Sequence, residues 1–396
     1  MDFSLGDEEL ALKDSIIEFA QKELNKNIIE RDKKCEFFRE GWEKCAEFGI
    51  HGLPIPHEYG GTGSDIITTI LAMEGLGYGC KDNGLIFSIN AHMWSCEMPI
   101  LTFGNEDQKK KYLPKLCSGE YIGIHAMTEP NSGSDAFSLQ TTARKVRDKY
   151  ILNGTKMFIT DAPIADLVLV FAKLEQSKGM RAISAFLVEK GTPGFSVSKE
   201  LDKMGLRTSP MGEVVFDNCE VPEENLLGKE GAGGFIFNSS MEWERSCILA
   251  SCVGTMERQL ETCIKYAMER HQFGRPIGRF QSISNKIAEM KVRIETSKLL
   301  IYKIGWLKKI GKRAIMESAI AKLYVSECFI KSSLDAIQIH GGYGYMTEFE
   351  VERDLRDSVA STIYSGTSEI QKLIIAEWLG LYKPYFSHPL EDESDN

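Results

Sequence analysis

The chain has 396 residues, with 47 Lys+Arg against 57 Asp+Glu for a formal charge of −10. Hydrophobic residues at 43% and charged residues at 26% describe a globular protein with room for more than one core, not a disordered or fibrous one. The acidic balance argues against nucleic acid, whose phosphates need a basic surface, and no apolar run approaches the ~18 residues of a membrane span. The opening MDFSLGDEEL is acidic and carries no apolar leader core, so a cytoplasmic location is expected. Ten cysteines with no C-x-x-C pair predict reduced, mostly buried thiols.

Helices are expected over the first ~120 residues (1–120). Leu10, Leu12, Ile16, Ile17 and Phe19 are spaced to give one apolar face. GLPIPHEYGGTG (Gly52–Gly63) is too rich in Pro and Gly to continue a helix, and helical periodicity resumes over Ile66–Leu76, Ala91–Phe103 and the Lys-rich run before Tyr112. From 121 to 235 the texture changes to short β-branched and aromatic runs, Tyr150–Leu152, Leu167–Lys173, Ala182–Val188, Phe195–Val197 and Val214–Val221. They are divided by turn residues such as Asn153-Gly154, which predicts an antiparallel sheet or small barrel. Long helical patterns then return over Phe235–Arg270, Ser282–Ile310, Lys312–His340 and Thr367–Leu381, giving a C-terminal helical bundle over 236–385 and an acidic tail at 386–396.

Most common chemistries leave no trace. There is no H-E-x-x-H, Cys/His cluster or EF-hand loop, so no metal is expected. There is no P-loop and no G-x-G-x-x-G after a strand. The seven scattered histidines are read as structural. Two segments stand out. AMTEPNSGSDAFS (Ala126–Ser138) offers several hydroxyls around Gly133, where a backbone amide can approach a ligand, although its composition also suits a plain polar turn. QIHGGYGYMTEFEVERDLRD (Gln338–Asp357) places Gly341, Gly342 and Gly344 where a helix should end. They are either C-cap glycines or a set of backbone amides offered to a bulky polar ligand.

Together these segments resemble the two signature motifs of the acyl-CoA dehydrogenase family of flavoproteins. Ala126–Asp135 fit the first motif at every position, and Gln338, Gly341, Gly342, Gly344, Glu348, Arg353 and Asp357 fit the second. The resemblance extends to the α–β–α order, the Asn225-Leu226-Leu227-Gly228 turn and RHQFGR (Arg270–Arg275). It implies the family's fold: an N-terminal α-helical domain, a middle β domain and a C-terminal four-helix bundle. It also implies FAD, held partly by a neighbouring subunit of a homotetramer. By that resemblance Met127, Thr128, Gly133 and Ser134 line the flavin, and Phe158 and Thr160 flank its ring. Arg270, Gln272 and Phe273 meet the pyrophosphate and adenosine, Gln338 and Gly342 complete that contact, and Thr367 and Glu369 reach the cofactor after Tyr364.

The implied chemistry is removal of a thioester's α-proton by a carboxylate while the β-hydrogen leaves as hydride to flavin N5. Most members carry the base in I-Y-E-G-T. This chain reads Ile363-Tyr364-Ser365-Gly366-Thr367, and a serine hydroxyl is far too weakly acidic to act as that base. Some members instead place a Glu before an Arg on the first long C-terminal helix, where this chain has Glu244-Arg245. Glu244 is therefore the expected base, with Arg245, Ser134, Ser365 and Tyr364 at the substrate. The chain resembles most the branch acting on prolyl or acyl groups tethered to a carrier protein in natural-product pathways. A short- or branched-chain acyl-CoA dehydrogenase is the alternative, and a flavin monooxygenase of the same fold a further one. The partners implied are an acyl or aminoacyl carrier protein or a CoA thioester, with an electron-transfer flavoprotein or O2 as acceptor.

Overall fold

The computed structural model describes residues 5–175 and 180–381; the tail expected at 386–396 lies outside them. The first part is helical: α1 (Asp7–Glu23), α2 (Ile28–Lys34), α3 (Arg39–Glu47), α4 (Ile66–Gly79), α5 (Asn83–Ala91), a π-helical turn (His92–Glu97), α6 (Met98–Phe103) and α7 (Glu106–Cys117). Caps fix the starts. The Asp65 carboxylate accepts the Thr68 N–H at α4, and Asn105 and Gln108 form a capping box at α7. On α1, Ile16 and Ala20 are buried and Leu12 and Phe19 pack beside them, but Leu10 is 41% exposed. At 100° per residue Leu10 falls about 120° from Ile16, off the buried stripe.

The middle of the chain is one sheet: β1 (Gly123–Ala126), β2 (Thr142–Val146), β3 (Lys149–Thr160), β4 (Leu167–Leu174), β5 (Ile183–Glu189), β6 (Phe195–Glu200), β7 (Met211–Pro222) and β8 (Leu226–Leu227). Its order is β6-β7-β3-β2-β4-β5-β8, with β1 paired to β4. Most pairings are antiparallel, as the turn residues suggest; β1–β4 and β2–β4 are parallel. Parallel neighbours need a long connection, and local alternation carries no sign of them. β4 and β5 are buried on both faces, which is why they read as near-continuous apolar runs.

The rest is helical again: α8 (Gly233–Cys247), α9 (Leu249–Glu269), α10 (Gln281–Lys309), α11 (Ile315–His340), α12 (Val351–Ala360) and α13 (Ser368–Trp378). The single helix expected over 235–270 is two, joined at Ile248. α12 forms inside the charged part of the second motif, where apolar periodicity is too short to announce it.

The first and last helical segments interlock. A Cβ at Gly77 would lie 2.0 Å from the Ser251 carbonyl oxygen, and one at Gly254 would lie 1.9 Å from that of Glu74. Only glycine lets α4 and α9 approach this closely. Polar contacts bind the sheet in as well. The Leu206 N–H and the Asn83 amide both donate to Asp357, and Asp82 takes Arg31 and Thr208.

Candidate active site

Glu244 sits on the buried face of α8, 9% exposed, and each of its carboxylate oxygens accepts a hydroxyl. Ser365 Oγ donates to Oε1 at 2.5 Å and Ser95 Oγ to Oε2 at 2.7 Å. Ser95, 3% exposed, comes from the π-helical turn. That turn carries an extra residue and so changes which side chains of the segment face α8. Alongside, Trp94 and Trp243 stack with ring centroids 6.1 Å apart at 6°, so neighbouring residues on both segments make paired contacts. Lys308 Nζ lies 3.9 Å from the Trp243 ring centroid and 3.0 Å from Glu242 Oε1, tying α8 to α10. Beneath the turn, His92 Nδ1 accepts the Gly123 N–H at 2.9 Å, leaving its Nε2 to face the Leu116 carbonyl and Glu97. Burial pushes the Glu97 carboxyl above the usual range.

The loop opposite Glu244 is held in an unusual conformation. Ser365 has φ 56° and Gly366 φ 93°. A left-handed serine needs support. Arg245 Nε donates to the Ser365 carbonyl at 2.9 Å, while the Gln371 amide bridges the Ser365 and Gly366 carbonyls at 3.2 and 2.8 Å. Thr367 caps α13 by accepting the Ile370 N–H. Tyr364 packs on Phe87 with centroids 4.8 Å apart. Lys322, fully buried on α11, lies 5.7 Å from the centre of the Tyr364 ring, and its ammonium has no hydrogen-bond acceptor among the described residues. Burial, reinforced by Arg245, pulls its pKa down to about 7. Burial likewise draws Arg245 to about 10.

The first motif forms a self-bonded turn on the sheet. Glu129 is its clasp: its carboxylate accepts the Gln140 and Thr141 N–H groups, the Thr141 hydroxyl and, at 2.8 Å, the ammonium of fully buried Lys156. Lys156 also donates to the Met127 carbonyl at 3.1 Å, and the Met157 N–H donates to that of Thr128 at 2.9 Å. Burial lowers the Lys156 pKa to about 8 even with Glu129 beside it. Two residues on, β3 bulges against β7 between Lys156 and Ile159, and Phe158 takes φ 60° with its ring 61% exposed. A bulge is a common way to re-aim a side chain beside a site. Thr160 ends the strand, and Gly133 and Ser134 are exposed at the tip of the turn.

A second group gathers at the far end of the bundle. Arg270, Gln272 and Gly342 line a cavity of about 390 Å³ with Tyr266, Ile339 and Met346. α11 stops at His340 because Gly341 adopts φ 60°, and open space lies where a Cβ of Gly341 or Gly342 would sit. Phe273, at φ 50°, stands 93% exposed at the tip of the short hairpin between His271–Gln272 and Arg275–Pro276. Neither Phe273 nor Gln338 lines the cavity, and Glu369 is exposed at the start of α13.

The structure thus joins Glu244, Arg245, Tyr364 and Ser365 in one cluster, sets Met127 and Thr128 beside the end of β3 that carries Phe158 and Thr160, and gathers Arg270, Gln272 and Gly342 around one cavity. Ser95, Lys156 and Lys322 are not visible from sequence, since an isolated Ser or Lys on a helix or strand carries no pattern. Glu129 lies inside the first motif and could have been found there.

An α–β–α chain with a carboxylate facing the loop after its last glycine motif belongs to a defined class. The chain is a member of the acyl-CoA dehydrogenase family, whose N-terminal, middle and C-terminal domains match residues 6–120, 125–219 and 231–380. Among its relatives is the L-prolyl-[peptidyl-carrier protein] dehydrogenase of Pseudomonas fluorescens, 46% identical over 86% of this chain and 90% of that protein. Among solved structures, the prolyl acyl carrier protein oxidase AnaB superposes with a TM-score of 0.94 at 53% identity, covering 95% of this chain and all of that one. PigA with FAD and proline gives a TM-score of 0.94 at 42% identity, covering 96% of this chain and 100% of that one.

Proposed function

We propose that this chain is an FAD-dependent dehydrogenase or oxidase of an acyl or aminoacyl thioester, with a prolyl group on a carrier protein as the preferred substrate. The observation that carries the reading is Glu244 on α8, beside Arg245, held between Ser95 and Ser365, the serine that replaces the usual carboxylate in the facing loop. The relatives and neighbours named for prolyl carrier-protein oxidation favour the prolyl group over a plain acyl group.

The residues present suit FAD. The Arg270 fork can pair two phosphate oxygens, the open Gly341–Gly342 backbone leaves space for a diphosphate, and the exposed Phe158 ring offers a flat apolar surface to a flavin. Bound FAD would supply the two-electron acceptor for the hydrogen lost from the β position. The chain's own residues do the rest. Glu244 takes the α-proton, and the two hydroxyls keep its carboxylate from rotating away. The Ser365 N–H is the donor proposed for the developing enolate oxygen, a role that needs only backbone and so survives serine at this position. Arg245 and Gln371 fix the loop that carries that N–H.

Homotetramer assembly, with the Arg270 cavity completing a neighbour's cofactor site, is part of the same proposal. It is supported by Val292, Leu299 and Trp306, exposed at seven-residue spacing along α10. Electrons then pass to an electron-transfer flavoprotein or to O2. Anaerobic mixing of the FAD-loaded protein with prolyl-carrier protein should bleach the flavin absorbance. Glu244→Gln should stay yellow and bleach at least about 10³-fold more slowly. Bleaching of the variant at the normal rate, or rapid bleaching of the parent by butyryl- or isovaleryl-CoA with none by the prolyl substrate, would overturn the proposal.

A further inference from the structure

We infer that Ser365 reads the α-nitrogen of the substrate, so that the site selects α-amino acyl thioesters over carbocyclic or aliphatic ones of the same shape. The inference rests on Glu244 acting as the base. A serine hydroxyl has one hydrogen to give and two lone pairs to offer. The Ser365 hydrogen is committed to Glu244 Oε1. What Ser365 Oγ still presents is acceptor capacity alone. Ser95 Oγ is committed in the same way, but it is buried on the far side of the carboxylate. Ser365 is only part-buried, so of the two it is the hydroxyl a ligand can reach.

The geometry makes this selective. To remove the α-proton, a Glu244 oxygen must come close to the α-carbon. The nitrogen of a prolyl group is one bond from that carbon, and Ser365 Oγ is 2.5 Å from Oε1. An N–H on the α-carbon therefore falls within hydrogen-bond reach of an oxygen that has nothing left but lone pairs. A carbocycle puts a C–H there and leaves that oxygen without a donor, which is the kind of mismatch that discriminates strongly between isosteres. Arg245 Nε and the Gln371 amide both donate to the loop carbonyls and not to Ser365 Oγ. The left-handed backbone at residue 365 sets this direction, and glycine can hold the same φ without strain.

The test compares two pantetheine amides, N-prolyl and N-cyclopentanecarbonyl, which match in shape and bind without being oxidised. Titration calorimetry on the FAD-loaded protein should show the prolyl amide binding about tenfold more tightly, the worth of one such hydrogen bond. Ser365→Gly and Ser365→Ala should bring the two affinities to within about twofold, again by the loss of that bond. Ser95→Ala, which loosens Glu244 from the buried side, should lower both affinities by a similar factor. A ratio retained in both Ser365 variants overturns the inference even if prolyl thioester still bleaches the parent protein. A parent protein that neither binds the prolyl amide nor is bleached by the prolyl thioester overturns the underlying function, and the inference with it.

Discussion

The Glu129–Lys156 pair offers a sharp test of how the first motif is held. Lys156 is fully buried, and its ammonium has two acceptors, the Glu129 carboxylate and the Met127 carbonyl. Glu129→Gln removes the charge that justifies burying the lysine and should cost about 3–5 kcal/mol, the usual loss when one partner of a buried pair is removed. Lys156→Met should cost less, about 1–2 kcal/mol, since Glu129 keeps three other donors and methionine fills the space. The double variant should be less destabilised than Glu129→Gln alone, because no orphaned ammonium remains. That is a coupling of about 2–3 kcal/mol between the two sites. Urea midpoints of the FAD-free protein at one protein concentration would measure it, with Glu129→Gln shifted by about 1–1.7 M at a slope near 3 kcal/mol/M. FAD retention through gel filtration should fall in the same order, since Met127 and Thr128 hang from this clasp. Additive losses, or a Glu129→Gln cost below about 1 kcal/mol, would show that the ammonium is satisfied in some other way.

Three further outcomes are expected. Lys322→Met should stabilise the protein, and more so at pH 6 than at pH 9. The folded-state pKa of Lys322 lies near 7, below its unfolded value, so the lysine's penalty is full at low pH and fades as pH rises through that range; melting temperatures at the two pH values would check it. Asp357, raised by burial to about 7, has the opposite consequence. Its favourable contribution is present at low pH and is lost as pH climbs from its unfolded value of about 4 through 7, so Asp357→Asn should flatten the fall in melting temperature between pH 5.5 and 8. Phe158→Asn should leave the melting temperature of the FAD-free protein nearly unchanged, because the ring is exposed and asparagine tolerates a left-handed backbone. It should weaken FAD binding about tenfold, as read by flavin fluorescence.

Sequence and structure agree most where a signal is long. The helix periods, the β runs and the two motifs all survive as elements, because each depends on many residues repeating one demand. Glu244 was reachable only through family resemblance, since a Glu on an amphipathic helix is otherwise indistinguishable from a solvated one. Ser95 was out of reach in principle. A period of 3.6 does not describe a π-helical turn, so no helical register projects that side chain toward α8. The same holds for Phe158 and Ser365, whose direction depends on a left-handed φ that their side chains do not advertise. The parallel pairings of β4 were hidden because they join residues far apart along the chain.

The crossing of α4 and α9 divides the molecule differently from its chain order. Backbone rests on backbone at Gly77 and Gly254, with no side chain between to slide or yield. Mechanically, then, the first and last thirds are halves of one notched joint, and the sheet is a long insertion between them. Neither half can be expressed alone without exposing its side of the notch to solvent and leaving Asn90 without Ser251. Domain trading within the family should respect that joint: the helical parts must travel as a matched pair, and a sheet exchanged between them must keep the Leu206 and Thr208 contacts to Asp357 and Asp82.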